Sequence, residues 1–328
     1  MIISRTPFRL SLGGGSTDLP SYYEKYGGFI FAVAINLYFD VIIRKIHFDD
    51  RIGFRYSRTE RVKSWKKLKH EIGNKVFEMV GWNEEVGIDV SFTAETLSGT
   101  GLGSSASFTI GLLNALYAFK GQQFEQRDLA EKAFEITQRL GWSDGKQDSY
   151  VVALGGFVVL EIANDGKVTI SRPQINPDTV KSFINNTTFW YTGEKRSGSS
   201  DEILKIQDKK RILELKHRIK EIGRKILTSF ESGDLSRFGN LLDEHWQIKK
   251  EMSEKISNQK FDNFYELAKT NGALGGKLIG AGGGGYFIFY CDDSQSKAKV
   301  VRALDEAGLK RIPLGIDYEG TRVNNFDF

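Results

Sequence analysis

An α+β fold divided between two domains is predicted by three features of this sequence. Strand-like and helix-like segments mix without the regular βαβ alternation of a doubly wound sheet. A glycine- and serine-rich turn at residues 94 to 108 (AETLSGTGLGSSASF) joins an alternating segment to a helical stripe. Two charged amphipathic stretches then open a second half that carries a glycine-rich strand pair. The 328 residues suffice for two packed domains, and 40% hydrophobic with 27% charged content is ordinary for a globular chain.

Residues 2 to 12 and 29 to 46 (FIFAVAINLYFDVIIRKI) are rich in β-branched and aromatic side chains and predict strands. In GIDVSFTAE, Ile88, Val90, Phe92 and Ala94 alternate with Asp89, Ser91, Thr93 and Glu95, which is the period of a strand with one apolar face. From Ser104 to Phe119 the period becomes helical, with Ile110, Leu113, Leu116 and Tyr117 on one stripe. Helices are predicted at 126 to 140 and 147 to 154, and a strand at GGFVVLEI. The second domain opens on helices near 200 to 230 and 234 to 256, continues with the strand pair at 273 to 290 and a helix at 294 to 308, and closes on a final strand. Domains of 1–183 and 184–328 follow from that order. The charged segment from 49 to 75 predicts a mobile insertion able to act as a lid.

Charge and cysteine usage exclude several functions. The 46 basic and 42 acidic residues are spread along the chain, so its net charge of +4 predicts no nucleic-acid partner but suits a small anionic substrate. Cys291, the single cysteine, excludes an intrachain disulfide. The start MIISRTPFRLSL does not read as a signal peptide, and no apolar run approaches a membrane span. Residence in the cytoplasm is therefore expected, with no membrane partner and with the adjacent sequons at Asn185 and Asn186 as chance matches.

The small-residue turn has a chemical reading. A strand ending at Glu95, a loop at 98 to 103 and a helix from Ser104 together form a phosphate cradle, because glycine lets backbone approach a ligand and the helix start offers free N–H groups. Ser104 and Ser105 would cap the helix, or one would reach a Mg²⁺ bridging phosphates. A tight turn with plain N-caps uses the same residues. The loop lacks the lysine of G-x-x-x-x-G-K-[ST], and the G-x-G-x-x-G match at 280 to 285 stands in the wrong context for a dinucleotide turn.

Two further groupings carry charge next to flexible backbone. RTPFRLSLGGGSTDLP (5 to 20) runs from a strand bearing Arg9 through Gly13, Gly14 and Gly15 to Asp18, which suits sugar hydroxyls and developing charge as well as a surface ion pair at a hairpin turn. GKQDSYVVALGG (145 to 156) sets Lys146 and Asp148 at a helix start, where a carboxylate serves as a cap or as a base.

Together with KLIGAGGGGYFIFY, these segments resemble the GHMP kinases, the superfamily of galactokinase, homoserine kinase, mevalonate kinase and phosphomevalonate kinase. TPFRLSLGGGSTD, SGTGLGSSASF and KLIGAGGGGYFIFY are similar to its three motifs, in its order. PFRLSLGGGSTDLP, GKQDSY and YTGEKRSG look most like the D-glycero-D-manno-heptose phosphate kinases within it. The resemblance implies an N-terminal nucleotide-binding domain like domain 2 of ribosomal protein S5 and a ferredoxin-like C-terminal domain that contributes to the substrate site.

The resemblance also implies roles for particular residues. It places ATP phosphates on Gly99, Gly101, Leu102, Gly103, Ser104 and Ser105, makes Asp148 the base or orienter of the attacking hydroxyl, and sets Arg9 at the reacting oxygen. Gly14, Gly15 and Asp18 would hold substrate, with Gly282, Gly283 and Gly284 closing against it. Mg²⁺ would rest on Ser105 and a glutamate, Glu135 ahead of Glu131, with Asp144 as a substitute. Lys195 and Arg196, with Lys146, are the cations expected on the phosphate of a sugar-phosphate acceptor. Tyr22, Tyr23 and Trp142 would pack or stack on sugar, and the histidines at 47, 70, 217 and 245 show no metal-ligand spacing. The implied reaction is ATP-dependent phosphorylation of an anomeric hydroxyl, on D-glycero-D-manno-heptose 7-phosphate or, as alternatives, on galactose or fucose. A non-catalytic regulatory binder and a homodimer both stay open.

Overall fold

The computed structural model describes residues 1–83, 86–196 and 209–326. Its first layer is a mostly antiparallel sheet of β1 (Ile2–Gly13), β2 (Gly28–Lys45), β5 (Ile88–Ala94), β3 (Ile52–Arg55) and β4 (Thr59–Val62), with β6 (Phe157–Ile162) and β7 (Val168–Ser171) branching from the first half of β2. The last strand, β12 (Arg322–Asn325), pairs with β1. Residues 184–328 are thus not one unit, because the end of the chain returns to the first sheet. The expected domain break also falls inside a helix, α6 (Pro177–Asn186).

The first half of β2 is buried on both faces, which explains its unbroken apolar run. Phe29, Phe31, Val33 and Ile35 point into the core shared with the second domain. Ile30, Ala32 and Ala34 point into a core with α3 (Ser104–Phe119) and α5 (Lys146–Leu154). Strand alternation thus welds the domains through one sheet.

The second sheet is antiparallel in the order β11 (Lys310–Ile312), β8 (Thr187–Tyr191), β10 (Tyr286–Cys291), β9 (Ala273–Leu278). That 4-1-3-2 order is ferredoxin-like. Its helices are α7 (Lys209–Ser232), α8 (Leu235–Glu251), α9 (Gln259–Thr270) and α10 (Ser294–Glu306). Helix α7 lies against β1 where Gly223 faces Gly13, since a Cβ on Gly13 would stand 2.6 Å from Gly223 Cα. No described helix is long and apolar enough to cross a membrane.

The segment from 49 to 75 is not a loose insertion. Strand β3 pairs parallel with β5 and antiparallel with β4, and Asp49 binds Arg51 and Arg61. Helix α2 (Glu71–Val80) follows, capped by His70 Nδ1 accepting from Gly73 N at 3.1 Å.

Candidate active site

A cavity of about 1230 Å³ lies between the two sheets. One wall is the start of α3. Its N-cap, Gly103, has φ 83°, and no side chain caps the helix among the described residues. Ser104 Oγ is buried there with no hydrogen-bond partner among the described residues. Free N–H groups at a helix start, with an orphaned hydroxyl beside them, form a fit for phosphate oxygens. The loop before them packs on the second domain glycine to glycine: a Cβ on Gly101 would stand 2.4 Å from Ile279 O, and one on Gly280 would stand 2.4 Å from Gly101 Cα. Small residues here therefore serve loop-to-loop contact as well as any ligand.

Arg9 and Asp148 meet below that loop. Arg9 donates from Nε to Asp148 Oδ1 at 2.9 Å and from Nη1 to Gly101 O, and its Nη2 lies 2.7 Å from the same carboxylate. Both side chains line the cavity, with Arg9 4% exposed beneath the loop and Asp148 32% exposed, so the carboxylate is the more open member of the pair. Gly103, at φ 83°, suits this corner, where a Cβ would press on Arg9 Cγ at 3.3 Å.

Asp18 is buried at the start of α5. Its Oδ2 accepts from Gln147 N at 2.9 Å, so it caps a helix whose own N-cap is Gly145. Burial raises its pKa, with the Gln147 N–H opposing that rise. Ser11 Oγ donates to Gln147 Oε1 at 2.7 Å, which ties β1 to the same turn.

The facing wall belongs to the second domain and carries His245 and Lys249 from α8 and Lys277 from β9, all lining the cavity. None of the three drew attention in the sequence as a site residue, and His245 stood there among histidines without a metal-ligand pattern. The one available signal was Lys277, a lone cation inside the apolar strand ALGGKL.

The structure separates the expected residues into three groups. Arg9, Gly15, Asp18, Gly99, Gly101, Gly103, Ser104, Ser105, Asp148 and Arg196 line the cavity. Leu102 is buried below it, with its carbonyl accepting from Arg9 N at 3.1 Å. The others stand elsewhere for physical reasons. Gly14 is packed on the carbonyl of Phe29. Lys146 is buried and donates to both carboxylate oxygens of Glu131 at 2.8 Å, so its charge is already matched. Glu131 also accepts from Tyr150. Glu135 pairs with Arg139 on a half-exposed helix face outside the cavity, which removes it as the metal ligand.

Lys195 does not line the cavity, and Arg196 lies on the glycine loop rather than opposite it, its N–H donating to Gly99 O at 3.0 Å. Gly282 abuts Ile256, Gly283 donates to Ile256 O and Gly284 abuts the backbone of 194 to 196, so they brace loops while Gly280 and Ala281 line the cavity. Tyr22 binds His217 and Tyr23 is core, whereas Trp142 does line the cavity.

Comparison with known proteins places these features in a family. Residues 62–156 match the GHMP kinases N terminal domain and residues 226–310 match the GHMP kinases C terminal domain. The chain is 31% identical over 319 residues to the D-glycero-alpha-D-manno-heptose 7-phosphate kinase of Campylobacter jejuni, covering 92% of this chain and 93% of that protein. It is 25% identical over 288 residues to the mevalonate kinase of Pyrococcus horikoshii, covering 84% and 79%. Among solved structures, a D-glycero-D-manno-heptose 1-phosphate kinase from Bacteroides thetaiotaomicron superposes over 100% of both chains with a TM-score of 0.82 at 22% identity. Galactokinase from Lactococcus lactis does so over 99% of this chain and 95% of that one, with a TM-score of 0.73 at 16% identity. The last two show the shared fold.

Proposed function

The chain is a GHMP kinase, and from that premise we propose that it transfers the γ-phosphoryl group of ATP to the anomeric hydroxyl of a sugar phosphate, D-glycero-D-manno-heptose 7-phosphate, giving the 1,7-bisphosphate. The observation that carries the reading is the Arg9–Asp148 pair set between an uncapped helix start and a cationic wall. The relative from Campylobacter jejuni supports the choice of acceptor.

The cavity divides in a way that suits two ligands. Phe39, Tyr56, Phe92 and Phe108 line an aromatic part of it, fit for the nucleotide base. The N–H groups of α3, with Ser104, would hold the nucleotide phosphates, and Arg196 lies beside that loop. Asp148 then orients the acceptor hydroxyl and takes its proton as the O–P bond forms and the bond from Pγ to the ADP oxygen breaks. Arg9 keeps that carboxylate in place and, as a fixed positive charge, stabilises the transferring phosphoryl oxygens. Mg²⁺ fits the oxygen donors at the loop. Ser105 and Asp144 line the cavity and would hold it in place of Glu135, with phosphates and waters completing its shell. When bound it supplies charge neutralisation across the phosphates.

The test is ADP release with ATP and Mg²⁺ over a panel of heptose 7-phosphate, sedoheptulose 7-phosphate, mannose 6-phosphate, galactose, fucose and mevalonate. Turnover concentrated on the heptose phosphate and abolished in Asp148→Ala is the expected result. Turnover on a neutral sugar alone would remove the phosphorylated acceptor, and silence across the panel would remove the reaction.

A further inference from the structure

We propose that the acceptor's own phosphate is held by His245, Lys249 and Lys277 on the second domain's wall, and not by Lys195 and Arg196. This deepens the sugar-phosphate reading above and rests on it.

The three side chains converge from two elements. His245 and Lys249 are four residues apart on α8 and so share a helix face, while Lys277 projects from β9. Each is buried, at 4%, 8% and 3% exposure, yet each lines the cavity. Lys249 donates to Leu278 O at 2.7 Å and Gly280 O at 2.6 Å, and Lys277 to Leu12 O at 3.0 Å. Among the described residues, one ammonium proton of Lys249 and two of Lys277 remain without an acceptor. Among the described residues, both ring nitrogens of His245 lack a hydrogen-bond partner and none of the three side chains forms an ion pair with a carboxylate. Buried cations without a counter-ion are costly, and a tetrahedral dianion would satisfy all of these donors at once.

The electrostatics agree with a missing anion. Burial lowers the pKa of all three, and they depress one another further: Lys277 and Lys249 act on His245, and Lys249 acts on Lys277. Arg9, from β1, adds to the depression of both lysines. Lys249 falls to about 7. The nearby acids do not compensate, since Asp18 caps α5 and Asp148 is paired with Arg9. Lys216 of α7 is also held down by burial, and Arg196 stands across at the glycine loop. An arriving phosphate dianion restores the charge on this wall, so its binding takes up protons.

The experiment uses the full chain with Mg²⁺ and a saturating non-hydrolysable ATP analogue, which fills the glycine loop. Calorimetry with inorganic phosphate then reads the second wall alone, and steady-state kinetics read the acceptor. Lys277→Met and His245→Gln, both near in size to the originals, should weaken phosphate binding and raise acceptor KM by about tenfold or more, with ATP KM within about twofold. Thermal unfolding checks that both variants are folded.

Loss of nucleotide affinity in place of phosphate affinity would assign the wall to ATP and overturn the proposal. Sugar-phosphate turnover with KM unmoved in both variants would also overturn it while leaving the reaction intact. Phosphate binding lost in Lys277→Met, with no sugar phosphate turned over by the unaltered protein, would keep the anion site and remove the acceptor.

Discussion

The two walls of the cavity handle negative charge by different means. The first-domain wall is made of backbone: the glycine loop, the start of α3 and one orphaned serine hydroxyl. The second-domain wall is made of side chains, His245 and Lys249 on the buried face of an amphipathic helix and Lys277 on a buried strand. A backbone cradle demands glycine and small residues in series and so leaves a pattern in the sequence. A side-chain cradle needs only one or two basic residues per element, which look like any others until the chain folds.

The largest effect is expected where the two walls meet. Asp148→Asn keeps an acceptor for Arg9 but removes the base, and kcat should fall by about 10²–10⁴-fold with both KM values little changed. An unchanged kcat would make the pair a structural ion bridge. Next in size is the seam between the loops. Gly101→Ala places a side chain at φ 82° and against Ile279 O, so it should cost about 2 kcal/mol or more of stability, read as a lower unfolding midpoint, with activity falling alongside.

The third prediction separates the walls by pH. Lys249, held by burial at about 7, sheds its proton above that value in the ligand-free protein. Acceptor KM should therefore rise from pH 7 to 9 by up to about tenfold per unit, while ATP KM stays flat. The same group has a stability consequence with a definite sign. Unfolded lysine, near 10.5, binds a proton that the folded one has released. Its contribution thus makes the ligand-free protein more stable as pH rises through the window from about 7 to 10.5. A flat acceptor KM would take Lys249 out of the anion site. The smallest expected effect is Glu135→Gln. It removes only an exposed pair with Arg139, so rate and Mg²⁺ dependence should stay within about twofold.

What could be read in advance follows the same division. β1 and β2 were legible from their β-branched and aromatic residues, β5 and α3 from apolar periods that match what the fold buries, and Arg9 and Asp148 because each lies in a segment of glycine and charge. The return of β12 to β1 was not legible, since a four-residue edge strand has no period to show and its partner lies over 300 residues away. The hairpin of β3 and β4 was hidden by its charges, which pair with one another around Asp49. Glu135 looked like a ligand from spacing alone, and only the turn of its helix shows that Glu131 lies against α5, where Lys146 and Tyr150 hold it. Arg196 was expected on the acceptor's phosphate, whereas its backbone N–H joins it to the glycine loop.

The most direct test of two anion-binding walls with Arg9 and Asp148 between them is the identity of the product. ³¹P NMR of the product from ATP and D-glycero-D-manno-heptose 7-phosphate should show two separate phosphomonoesters, the new one coupled to the anomeric proton. A new phosphate on any other hydroxyl, or a diphosphate formed on the acceptor's existing phosphate, would contradict it by placing that phosphate at the reacting centre instead of the far wall.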